Sequence, residues 1–185
     1  MTVLSSGCSI NHPIAKDYGQ YLLNNETQST LPNTDFETDY TIDEKTKKHR
    51  YEFRAATVGY ANLWIVEFGK ILDETLKANY VKNAFGRFEE NTGGIDNSGN
   101  LVLFSLENYE FSGFQAHVTL NIIIYNNQKE ILNKNYHSDG KSQGGKMFWG
   151  GVFGMKNATQ QSTKLAIDEI LGDFIEDVKA KQAET

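Results

Sequence analysis

From Gln115 to Tyr125 the chain alternates strictly. Val118, Leu120, Ile122 and Ile124 fall at period two, with His117, Thr119, Asn121, Ile123 and Tyr125 between them. Successive side chains of a strand point to opposite faces, so this pattern predicts a strand with one fully apolar face and one mixed face. Its β-branched residues fit a pleated surface better than a helix. The polar turn Asn126-Asn127-Gln128-Lys129 leads to a weaker extended segment, Glu130 to His137, which is expected to pair back as a hairpin.

Elsewhere the period changes. Tyr51 to Tyr60 alternates as a first strand. Trp64, Phe68, Ile71, Leu72 and Leu76 then recur at i, i+4, i+7, i+8 and i+12, one stripe of a helix running from about Asn62, its cap, to Lys82. Arg87 to Glu90 reads as a short strand, Asn91 to Asn100 as a turn-rich loop, and Leu101 to Phe111 as a strand apolar on both faces at its start. A final helix is expected from Asn157 to about Ala180. Ile167, Ile170, Leu171, Phe174, Ile175 and Val178 form its apolar stripe, opposite Asp168, Glu169, Asp173, Glu176 and Asp177. That acidic face disfavours a membrane-surface role for this helix. The order of elements predicts an α+β fold: an antiparallel or mixed sheet with two long amphipathic helices packed on one face.

Residues 9–48 are polar and aperiodic apart from the patch Tyr18 to Leu23, and are expected to form a partly ordered tether. The folded unit is then a single α+β domain over residues 49–182. With 185 residues and 12 % aromatic content, the chain can bury a core without staples. A net charge of −6 disfavours nucleic acid, which needs a basic surface. No apolar run reaches the roughly 18–20 residues that a membrane span requires. One cysteine excludes an internal disulfide, and four scattered histidines lack close metal-ligand spacing.

Several motifs bear on chemistry. Gly140-Lys141-Ser142 echoes the end of a phosphate-binding loop, but Asn135 stands where the first glycine of that pattern belongs. His117 and His137 on facing strands could be neighbours, without an evident third ligand. No nucleophile elbow is present, and Cys8 has no orienting group nearby. The chain is therefore expected not to be an enzyme and to need no cofactor or metal. The glycine-rich run from Ser138 to Met155 carries Met147, Phe148, Trp149, Phe153 and Met155. It reads first as a close-packed crossover whose aromatics fill the core, and alternatively as a surface contacting a protein partner or as the lining of an apolar pocket. Those five residues are the candidate partner or ligand contacts.

The N-terminus reads Leu4-Ser5-Ser6-Gly7-Cys8, small residues before a lone cysteine. This resembles the lipobox at the end of a bacterial lipoprotein signal peptide, with Ser5 where an aliphatic residue is usual. The resemblance makes residues 1–8 a signal-peptide remnant and Cys8 the lipidated residue; the alternative is an ordinary small cysteine in a loose terminus. Together with the polar stretch, Tyr136-x3-Gly140 after a hairpin and the closing Ala166–Val178 helix, it resembles small envelope lipoproteins of diderm bacteria. The YajG-like and transport-auxiliary lipoproteins, with domains similar to the N-terminal domain of TolB, are the nearest types. What the resemblance implies is an outer-membrane lipoprotein facing the periplasm and touching the bilayer through its anchor only. It would serve as a non-catalytic scaffold or adaptor for an envelope protein, in assembly or transport, and is compatible with a homo-oligomer. The alternative is a module binding an apolar or glycan ligand in a sheet–helix pocket.

Overall fold

The structure, a computed structural model, describes residues 9–25, 30–56, 59–92, 99–142 and 144–183, without the side chains of 144–149. In chain order the elements are β1 (Ile10–Pro13), α1 (Tyr18–Asn25), β2 (Glu37–Ile42), α2 (Glu44–Lys47), β3 (Tyr51–Phe53), β4 (Asn62–Val66) and α3 (Phe68–Lys77). There follow α4 (Asn79–Lys82), β5 (Arg87–Glu90), β6 (Asn100–Ser112), β7 (Gln115–Asn126), β8 (Lys129–Asp139) and α5 (Gly144–Ala183). The fold is α+β with two mixed sheets.

The larger sheet has the order β5-β2-β6-β7-β8. Its last three strands form an antiparallel meander, while β2 runs parallel to both β5 and β6. Both hairpin turns have two residues at positive φ, Gly113-Phe114 and Asn127-Gln128, the handedness that matches strand twist. The expected inward residues Val118, Leu120, Ile122 and Ile124 are all buried, and the α5 stripe from Ile167 to Val178 is buried with them. Phe174 of that stripe meets Phe104 and Tyr136 edge-on, with ring centroids 6.1 Å apart in each case.

Among the described residues only one long helix is present, not two. The stretch expected as a helix from Asn62 begins as β4, the middle of the smaller sheet β1-β4-β3. Trp64, Ile65 and Val66 are all buried, so this strand has no polar alternate face and shows no period-two signal. Trp64 lies four residues before Phe68, a spacing that mimics a helical stripe, yet its ring stacks on His12 and Phe53. The helix itself is the ten-residue α3, buried through Phe68, Ile71, Leu72, Thr75 and Leu76, and it ends at the extended Ala78. The expected strand Tyr51–Tyr60 is likewise trimmed to Tyr51–Phe53.

The segment read as a tether is built into the domain. Ile14, Tyr18 and Leu22 are buried, and β2 lies inside the larger sheet with Thr38, Tyr40 and Ile42 turned inward. Two of those three inward residues carry hydroxyls, which hid the strand from an apolar pattern. Where β2 ends, α2 continues its work along β6. The Asp43 amide donates to the Phe104 carbonyl, and the Leu106 amide donates to the buried Thr46 Oγ1 at 2.7 Å. The second bond lies beside the β6 irregularity between Leu106 and Asn108, satisfying an amide that the sheet no longer pairs.

Candidate functional site

β8 ends at Asp139, and Gly140 crosses closely beneath α5. Its amide donates to the Ala116 carbonyl at 2.8 Å, and the Ala116 amide donates to Ser162 Oγ at 2.8 Å. A Cβ at position 140 would overlap the Ser162 carbonyl, so the glycine is required by backbone proximity and not by a phosphate. α5 starts at Gly144, earlier than the expected Asn157, and breaks at Gly151, whose φ of 52° and ψ of −135° are not helical. The glycine-rich run is thus a short helical arm joined to a long buried helix.

This geometry separates the five candidate contacts. Met155 is a core residue, buried against the domain, so its assignment as a contact is corrected. Phe153, two residues past the break, is 82 % exposed. The side chains of Met147, Phe148 and Trp149 lie outside the described residues, as does Cys8. Phe153 borders an open groove of about 710 Å³ whose other walls are polar, among them Asp17, Gln20, Lys156 and Gln160. The apolar sheet–helix hollow lies elsewhere. It measures about 380 Å³ and is lined by Phe36, Ile124, Ile131 and Val178, with Asn126 and Lys181 also on its walls.

The outer face of β7 and β8 brings together residues that sequence spacing left apart. His117 Nδ1 lies 2.6 Å from Asp139 Oδ1, and His137 Nε2 lies 3.2 Å from the same oxygen. Thr119 Oγ1 is 3.0 Å from His137 Nδ1. The hydrogen bond with His117 comes first in holding the Asp139 carboxyl below its usual range; slight desolvation opposes it, and the charges of both imidazoles add. Asp139 could have been found by counting register across the hairpin, since it sits opposite His117. Among the described residues no group of three His, Cys, Asp or Glu has the geometry to hold a metal. The cluster ties the last residues of β8 to β7 on an open surface.

Within the fold, α5 carries a second polar group. Lys164, 5 % exposed, pairs with Asp168 one turn on and lies over the Tyr80 ring, 4.7 Å from its centroid. Tyr80 donates to Asp168 at 2.7 Å. Burial, then the Asp168 charge, push the Tyr80 phenol well above its ordinary range, so it remains a protonated donor.

The larger sheet has two outer strands, the four-residue β5 and the much longer β8. Ten of the eleven residues of β8 pair with β7 on one side, all but Ile131, and the strand pairs with no other described strand. Ile131, at the β8 irregularity, is exposed. The inner side of β8 is fastened to α5: Tyr136 Oη and Lys134 Nζ both donate to Asp177 at 2.6 Å, and Ser138 donates to Glu169 at 2.8 Å. A long edge held firmly from behind is a preformed template for strand addition.

The molecule is thus an α+β domain whose exposed features include a fixed strand edge, Phe153 beside the helix break and a shallow sheet–helix hollow. No family model matches the chain, and no curated protein matches it. Among solved structures it is similar to the crystal structure of protein XCC0632 from Xanthomonas campestris, which carries the family-model label DUF330. The likeness has a TM-score of 0.53 and 12 % identity, and spans 85 % of this chain and 95 % of that one. At that identity it shows a shared fold alone.

Proposed function

We propose that this chain is a non-catalytic adaptor of the bacterial envelope, anchored through a lipidated Cys8, that engages a protein partner along the β8 edge. The observation that carries the reading is the outer side of the eleven-residue β8, which pairs with no strand among the described residues. Main-chain hydrogen bonds supply affinity in such pairing, while alternate side chains supply selectivity. The lipobox-like Leu4-Ser5-Ser6-Gly7-Cys8 supports the envelope location. The test places a photo-crosslinking amino acid at Asn133 or Asn135, and separately at the exposed Tyr60, in the source bacterium. Crosslinks to one protein from the β8 positions and none from Tyr60 support the adaptor. Crosslinks absent from β8, or equal from all three positions, overturn it. Mass spectrometry of the N-terminus tests the anchor separately, and an unprocessed, unmodified Cys8 removes it.

The sheet–helix hollow favours a second reading, a module for an apolar ligand. Its volume of about 380 Å³ falls within the roughly 300–1,000 Å³ of small-molecule sites. Under that reading a fluorescent fatty acid binds the chain and is displaced by Val178→Trp, which fills the hollow. A ligand that binds both forms alike, or neither, removes it.

A further inference from the structure

The open groove of about 710 Å³ beside Phe153 lies between α1 and the part of α5 that follows Gly151. Six side-chain amides line it: Gln20, Asn24 and Asn25 from α1, and Asn157, Gln160 and Gln161 from α5. Its two charged residues, Asp17 and Lys156, pair with each other at 3.1 Å, so the lining carries no net charge. Tyr21 and the exposed Phe153 add two rings. Four of the amides are held at one end. Gln20 Nε2 donates to Asn24 Oδ1 at 3.0 Å, and Asn25 Nδ2 donates to the Tyr21 carbonyl at 2.8 Å. Gln160, 3 % exposed, donates through Nε2 to the Ile14 carbonyl at 2.9 Å. Each bond occupies one end of its amide and fixes the direction of the other: Oε1 of Gln20 and Gln160, Oδ1 of Asn25 and Nδ2 of Asn24.

We propose that this groove between α1 and α5 is a binding site for a short neutral saccharide. A sugar presents a rim of hydroxyls, each both donor and acceptor, around an apolar C–H face. Amides match that rim, because one planar group offers an acceptor beside two donors. The exposed Phe153 ring offers the C–H face a surface to lie on. The internal Asp17–Lys156 pair removes the charge that would select a phosphate, a carboxylate or a cation. A peptide fits less well, since its anchoring side chains need desolvated apolar pockets, and the walls here are polar. Amides already held at one end lose less freedom when a ligand arrives. The volume falls within the roughly 300–1,000 Å³ of small-molecule sites. The groove shares no residue with β8 or with the α5 residues that fasten it, so this site and the adaptor reading fail separately.

The experiment titrates the full chain with cellobiose, maltose and N,N′-diacetylchitobiose, read by calorimetry and by saturation-transfer NMR on the sugar protons. The expected result is binding of at least one disaccharide with a Kd of about 1 mM or tighter. Phe153→Ala and Asn24→Ala each weaken it about tenfold or more. Both positions are exposed, so the far-UV spectrum and thermal midpoint stay unchanged. Tyr60→Ala removes an exposed ring elsewhere and leaves binding as it was. Binding by none of the three sugars overturns the proposal, as does binding that survives both groove variants. Binding of tetraalanine in place of any sugar, lost in Phe153→Ala, assigns the groove to a peptide and also overturns it.

Discussion

Gly140 lies directly against the backbone of Ser162, and no larger residue fits between them. The contact fixes where the hairpin leaves the sheet and where α5 crosses it. Gly140→Ala is expected to lower the unfolding free energy by about 3 kcal/mol or more, because the obstacle is backbone, which cannot swing aside. Gly150→Ala meets nothing within 4 Å and is the control. Urea titration of both variants decides, and equal midpoints would remove the crossing from the account of the fold.

The Lys164–Asp168–Tyr80 group holds α5 against α4 with nearly buried charge. Asp168→Leu leaves an ammonium over the Tyr80 ring without its carboxylate and is expected to cost about 3 kcal/mol. Adding Lys164→Met should recover a substantial part of that loss, since desolvation of both charges then disappears. A double-mutant cycle measures the coupling, and additive losses would show that the two charges act independently.

Burial sets the sign of a pH effect at His49. Its Nδ1 is buried and has no hydrogen-bond partner among the described residues, while the ring meets Phe68 and Tyr109 edge-on. Desolvation lowers its pKa, and the nearby Lys45 charge adds to the shift. The unfolded chain therefore binds the proton more readily, so stability is full above an unfolded value of about 6.5 and falls as pH drops toward the folded value. His49→Phe is expected to flatten the stability profile just below about pH 6.5 relative to the parent chain. Parallel slopes for the two proteins in chemical denaturation would exclude the residue as a source.

The parts of the fold legible in the sequence are those where one face is wet. Alternation revealed β7 because His117, Thr119 and Asn121 interrupt its buried set, and the α5 stripe stood out against its acidic face. β4 was hidden for the opposite reason: with both faces covered, Trp64-Ile65-Val66 has no period to read. β2 was hidden because Thr38 and Tyr40 bury hydroxyl-bearing side chains. At the candidate site, the composition of the aromatic run was plain, but its division into an exposed Phe153 and a buried Met155 depends on the break at Gly151, which is a backbone property. Asp139 was missed because register, not spacing along the chain, brings it to His117.

The proposed docking edge depends on what holds β8 from behind. Asp177 accepts from both Lys134 and Tyr136, the two residues that link the middle of β8 to α5. Partial burial raises its carboxyl, but the hydrogen bonds from Lys134 and Tyr136 outweigh that, and the pKa lies below the ordinary carboxylate range. For a group depressed in the folded state, the stabilisation is complete above the unfolded value near 3.9 and is lost as pH falls through the folded value. Asp177→Asn should abolish this acid dependence at neutral cost to the rest of the sheet. Because β8 is an edge strand with partners on one side only, the loss is expected to appear locally, as faster amide hydrogen exchange in Lys129–Asp139 than in β7. Under the adaptor reading a looser edge must be ordered at the moment of pairing, so the same variant should also weaken crosslinking from Asn133. Exchange that rises uniformly across the sheet would mean that Asp177 supports the whole domain rather than the edge.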